Sequence, residues 1–99
     1  MTAIPFTIGR WTFPSKAAFI ARCRAILHGG DIDTEIRGTD AELVEMVFWL
    51  RADKLKVCGS RQVVAYHRRK HPSYPTPCFH AELDDGTMLD FSFRKVLRP

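Results

Sequence analysis

Three features of the sequence predict an α+β domain in which two helices pack on a small, mostly antiparallel sheet that ends in a C-terminal β-hairpin. Apolar residues fall at helical spacing at Phe19, Ile20, Cys23, Ile26 and Leu27, and again from Leu43 to Leu50. They alternate with polar ones at Phe79, Ala81, Leu83 and at Leu89, Phe91, Phe93, which is the period of a half-buried strand. Between these blocks stand Gly29-Gly30, Gly38 and Asp85-Gly86, at the places where a chain must turn.

Residues 4–13 mix β-formers with Pro5 and Gly9 and read as an irregular or edge strand. Ser15 is placed to cap the first helix, because its hydroxyl can accept from the free amides of the first turn. Gly29-Gly30 ends that helix. The linker DIDTEIRG follows, and Thr39 with Glu42 forms a T-x-x-E capping box for a second helix running to about Arg51. Leu43, Val47 and Leu50 give its core face. Met46, Phe48 and Trp49 widen the apolar surface, so either the helix is wrapped on most sides or Trp49 lies near a partner.

Val63 to Tyr66 reads as a short strand leading into HRRKHPSYPTP, whose three prolines mark a loop. In the final hairpin, a two-residue loop would oppose Phe79 to Ser92 and mix apolar with polar on one face. A three-residue loop, Asp84-Asp85-Gly86, sets Phe79 against Phe91 and Ala81 against Leu89, and it uses Gly86 for the left-handed bulge position. The same register places His80 opposite Asp90, where an ion pair is expected, and carries Arg94 and Lys95 past the sheet edge on a rigid base.

A chain of 99 residues with 45% apolar and 26% charged side chains fits one soluble domain, residues 1–99. Its longest apolar run, Met46 to Leu50, is far too short to cross a bilayer. The N-terminal residues lack the pattern of a signal peptide, and three cysteines make no disulfide framework, so a cytoplasmic setting without membrane association is expected. The net charge is +4, but seven cations against one acid between Arg51 and Lys70 concentrate it. Between Asp31 and Glu45 six acids meet only Arg37.

The segment HPSYPTPCFHAELDDGTMLDFSFRKVL joins a proline-bearing loop to Cys78-Phe79, Asp85-Gly86, Asp90-Phe91-Ser92 and Arg94-Lys95. With Phe13-Pro-Ser-Lys16 and Lys56-Val-Cys-Gly59, it resembles the DCL-like domain of plant "defective chloroplasts and leaves" proteins. Such a domain also closes a plant-specific RNA polymerase largest subunit, and uncharacterised bacterial proteins consist of it alone. The resemblance implies an α+β domain and a setting in ribosomal RNA maturation and transcription. It implies no catalytic reaction.

Cations interleaved with Tyr66, His67, His71 and Tyr74 have the composition of a nucleic-acid surface, where charge displaces counterions and planar side chains stack on bases. The expected function is a non-enzymatic module binding nucleic acid, RNA ahead of DNA, through Lys56, Arg61, Arg68, Arg69, Lys70, Tyr74, Arg94 and Lys95. The rival is a protein-interaction module docking through the Trp49 region or the acidic linker. Cys78, His80 and Asp90 share a patch, but residues two apart on a strand stand about 7 Å apart, too far for a thiol and its base. Cys58, His67, His71 and Cys78 have no recognised zinc frame, and the alternating acids Asp31, Asp33 and Glu35 lack the glycine and closing glutamate of a calcium loop. No catalytic residue, metal ligand or cofactor is assigned from the sequence.

Overall fold

The computed structural model describes residues 4–97. In chain order the elements are β1 (Phe6–Ile8), β2 (Trp11–Phe13), α1 (Lys16–His28), β3 (Thr34–Ile36), α2 (Gly38–Trp49), α3 (Ala52–Cys58), β4 (Val63–Lys70), β5 (Pro77–Leu83), β6 (Met88–Phe91) and a 3-10 turn over Phe93–Leu97. The class is the α+β one predicted, with three helices and two antiparallel sheets. β1 and β2 form a two-stranded sheet of their own, and the main sheet has the order β3-β4-β5-β6.

Four local expectations are corrected. The N-terminal stretch is a hairpin rather than one irregular strand: Ile8 faces Trp11 across a two-residue turn at Gly9-Arg10. Gly9 takes φ +58°, as the first loop position of a type II′ turn requires, and an added Cβ would lie 2.7 Å from the Met46 side chain. The acidic linker contains β3, which pairs Ile36 with Tyr66. The second helix begins at Gly38, so Thr39 lies inside it and no side chain caps its end. Glu42 bonds Arg10 instead, at 2.6 Å. That helix stops at Trp49, leaving Leu50 outside the core and exposed, and a separate short helix follows.

The first helix forms as expected. The Ser15 hydroxyl accepts from the Ala18 amide at 3.1 Å, and Phe19, Cys23, Ile26 and Leu27 make its buried stripe. Phe19 is fully buried and receives Phe6 and Phe13 from the small hairpin, with ring centroids 4.9 and 5.5 Å away. From α2, Leu43, Val44, Val47 and Phe48 reach the sheet, where Phe48 meets Phe91 at 5.2 Å and Tyr66 at 6.1 Å. Truncating a fully buried phenylalanine of this kind to alanine costs about 3–5 kcal/mol.

The C-terminal hairpin has the predicted register. Phe79 faces Phe91, His80 faces Asp90 and Ala81 faces Leu89. The loop is Asp84-Asp85-Gly86, closed by Leu83 N–H to Thr87 O at 2.8 Å, with Gly86 at φ +87°. Beyond β6 the chain turns: Phe93 is buried beside Phe79 and Phe19, while Arg94 and Lys95 are exposed.

The larger correction concerns β4. It continues through His67, Arg68, Arg69 and Lys70, which the sequence placed in a loop, because β3 and β5 flank it and pair with it on both sides. Consecutive cations therefore project to opposite faces. Tyr66 and Arg68 turn toward the helices, whereas His67 and Arg69 turn to the other face.

Candidate functional site

Three of the predicted phosphate-binding arginines make structural contacts. Arg68 donates from Nε to the Ile26 carbonyl at 2.6 Å, satisfying an acceptor in the last turn of α1, and its Nη1 reaches Thr34 Oγ1 and Glu35 O. Arg69 pairs with Asp33 at 3.3 Å. Arg61 pairs with Asp85 at 2.9 Å and donates to the Val57 and Cys58 carbonyls, tying the end of α3 to the hairpin loop. Bound to Thr87 and Arg61, Asp85 has its carboxyl held down at about 2.

The remaining sites divide by position. Lys56 is exposed on α3. Lys70 ends β4 opposite Pro77, and the chain then makes a loop closed by His71 N–H to Thr76 O at 2.8 Å. In that loop the Tyr74 ring lies 4.8 Å from the His71 ring and is 63% exposed, so one of its faces is open to solvent. Across from it stands Arg94, set over the Phe93 ring at 5.8 Å and positioned by its own amide on Ser92 Oγ. His71, Tyr74, Thr76 and Arg94 rim a cleft of about 360 Å³ whose floor is Cys78, Phe79, Phe91 and Phe93. Among the described residues, no carboxylate lies within ion-pair distance of Lys56, Lys70, Arg94 or Lys95. The structure thus brings Lys70, Tyr74 and Arg94, with Lys95 next in the chain, to one end of the sheet. Arg61 lies at the other end, beside the start of β4, about 23 Å away at ordinary strand rise.

The polar face of the hairpin differs from expectation in one respect. His80 and Asp90 are register partners, yet they form no ion pair. His80 Nδ1 donates to the Cys78 carbonyl at 3.2 Å, and burial lowers its pKa against the attraction of Asp90, so the ring stays neutral. Asp90 approaches Lys54 at 4.0 Å. A side-chain contact forms instead between β4 and β5, where His67 Nε2 lies 2.8 Å from Glu82 Oε1. Cys78 Sγ donates to Phe91 O at 3.3 Å, and burial first, then the Asp90 charge, pushes the thiol up to about 11.

Arg51 was missed as a structural residue. It is 5% exposed, doubly bonded to Asp53 at 3.1 and 2.8 Å, and donates to Ser92 O at 3.0 Å. Its charge alone gave no signal, because the contact to Ser92 spans 41 residues.

At the start of β4 lies a second concavity of about 460 Å³, lined by Phe48, Trp49, Leu55, Cys58, Val63 and Tyr66 among others. Trp49 is 58% exposed and Leu50 and Val57 are similarly open. Of the acids between Asp31 and Glu45, four are matched within the chain, Asp33 by Arg69, Glu35 by Arg37, Asp40 by Arg22 and Glu42 by Arg10.

These features define a small α+β domain with a four-stranded antiparallel sheet and, at one end of it, a cleft bordered by Tyr74 and Arg94. The chain belongs to the family described as "Protein of unknown function (DUF3223)", whose model matches residues 24–97. The solution NMR structure of an uncharacterised protein from Rhodospirillum rubrum is similar in fold, with a TM-score of 0.81 at 23% identity over 95% of this chain and 88% of that one. A comparison with curated proteins returns no match. Among the described residues no helix is long and apolar enough to cross a membrane.

Proposed function

We propose that the domain binds single-stranded RNA at the cleft where β4 and β5 meet the 3-10 turn, without catalysing a reaction. The observation that carries this reading is the pairing of an open aromatic face with an unneutralised cation: Tyr74, backed by His71, borders the same cleft as Arg94, and the exposed Lys70 and Lys95 are the chain neighbours of His71 and Arg94. A splayed base needs a planar platform and its phosphates need mobile positive charge. The resemblance of residues 71–97 to the DCL-like domain, with its ribosomal RNA and transcription setting, supports the same ligand class. Arg61, Arg68 and Arg69 are left out of the binding set because their guanidinium groups are committed to the fold.

Backbone NMR spectra titrated with a short single-stranded RNA test the location. Shifts concentrated at residues 70–78 and 92–95 support the reading. Shifts elsewhere, or none at millimolar RNA, reject it.

A protein-docking reading is favoured by one observation of its own, the exposure of Trp49 beside an apolar groove at the far end of β4. Affinity capture from cells of the source organism with wild-type and Trp49→Ser baits tests it. A partner lost with the substitution supports docking there, and an unchanged set of partners rejects it.

A further inference from the structure

We infer that His71, Cys78 and Asp90 form a zinc-binding site. The three residues come from the loop after β4, from β5 and from β6, and their ligating atoms all lie within 4.8 Å of one another. Bonds of about 2.0–2.3 Å to a tetrahedral zinc place ligands roughly 3.3–3.8 Å apart, so side-chain shifts of about 1 Å close the site. The sheet register supplies this geometry: Cys78 and Asp90 share the polar face of the hairpin, and the loop that closes on Thr76 folds His71 over them.

One nitrogen, one sulfur and one oxygen donor suit zinc, since a thiolate disfavours magnesium and calcium. Three protein ligands leave a fourth position, and the cleft lined by His71 and Cys78 gives an ion access and room for a water there. Cys78 is the one thiol of the chain in such a cluster among the described residues. The charges also balance, because a thiolate and a carboxylate together match the dication.

Binding replaces three existing contacts. The Cys78 thiol proton passes to solvent as the sulfur–metal bond forms, ending its hydrogen bond to Phe91 O. Lys54, 4.0 Å from Asp90, withdraws to water. His71 Nδ1, which accepts the Ser73 amide at 2.9 Å, gives up that exposed bond so that one ring nitrogen takes the metal and the other keeps its proton. Arg69 remains held by Asp33.

Titration of the reduced, chelator-treated full chain with Co²⁺, followed by Zn²⁺ displacement, tests the site. The expected result is a thiolate-to-cobalt charge-transfer band in the near ultraviolet that saturates at one equivalent and is abolished by zinc. Cys78→Ser removes the band, His71→Asn and Asp90→Asn each weaken cobalt affinity at least tenfold, and Cys23→Ser and Cys58→Ser leave it intact. Zinc raises the Tm of the wild type and not of His71→Asn, a half-exposed loop position whose folding circular dichroism verifies. Absence of the band at one equivalent, its survival in Cys78→Ser, or full affinity in His71→Asn overturns the inference.

Discussion

The Nε of Arg68 lies 2.6 Å from the carbonyl oxygen of Ile26, so a strand residue closes the end of a helix 42 residues earlier in the chain. A cation at a helix C-terminus also opposes the negative end of the helix dipole. Arg68→Ala is expected to lower stability by about 2 kcal/mol, the scale of a charged hydrogen bond lost from a half-buried carbonyl. Chemical denaturation measures it, and Arg68→Lys recovers part. A loss below about 0.5 kcal/mol would show that the contact is idle.

Arg51 joins α3 to the segment after β6. Arg51→Met is expected to cost about 2–3 kcal/mol, because the Ser92 carbonyl loses its donor and Asp53 loses a two-bonded partner. The same substitution should raise the Asp53 carboxyl from about 2 toward its ordinary value, which an NMR titration reads directly.

His80 gives the fold an acid-sensitive limb. Burial lowers its pKa below the ordinary 6.5, so the unfolded chain takes up a proton first as the pH falls. Stability from this group is complete above about pH 6.5 and declines below it until the folded His80 also protonates. Asp53 and Asp85, both held at about 2, add a second decline as the pH drops from 3.8 toward 2. Replacing His80 with glutamine should flatten the first decline in thermal melts and leave the second.

Cys78 at about 11 and Cys23 at about 12 carry little thiolate near neutral pH. Against an ordinary value of 9.0, alkylation of folded Cys78 should be about a hundredfold slower. Mass spectrometry of iodoacetamide-treated protein checks this, with full labelling in denaturant as the reference. Fast labelling of folded Cys78 would instead revive nucleophilic chemistry at the cleft.

How far the sequence could be read depended on the range of the signal. The hairpin register at Phe79, Ala81, Leu89 and Phe91 was legible because alternation and turn chemistry are local and agree. The helix at Lys16–His28 was legible for the same reason. The length of β4 was not, since HRRK has no apolar alternation, and only pairing with β3 and β5 makes it a strand. The partners of Arg68 and Arg69 were hidden for the same cause: the strand sends Arg68 to the Ile26 carbonyl of α1 and Arg69 to a surface ion pair with Asp33. At the candidate site, Tyr74, Arg94 and Lys95 could be picked from composition. The approach of His71 to Cys78 and Asp90 could not, because it needs a loop and two strands superposed.

The most direct test of RNA binding at the sheet end is the salt dependence of affinity for a single-stranded RNA, compared between the wild type and a Lys70→Glu, Arg94→Glu, Lys95→Glu variant. Each lost phosphate contact lowers the slope of log affinity against log salt by about 0.7, so the three should reduce it by about 2 while the fold, checked by NMR, persists. An unchanged slope and affinity in a folded variant would contradict the account.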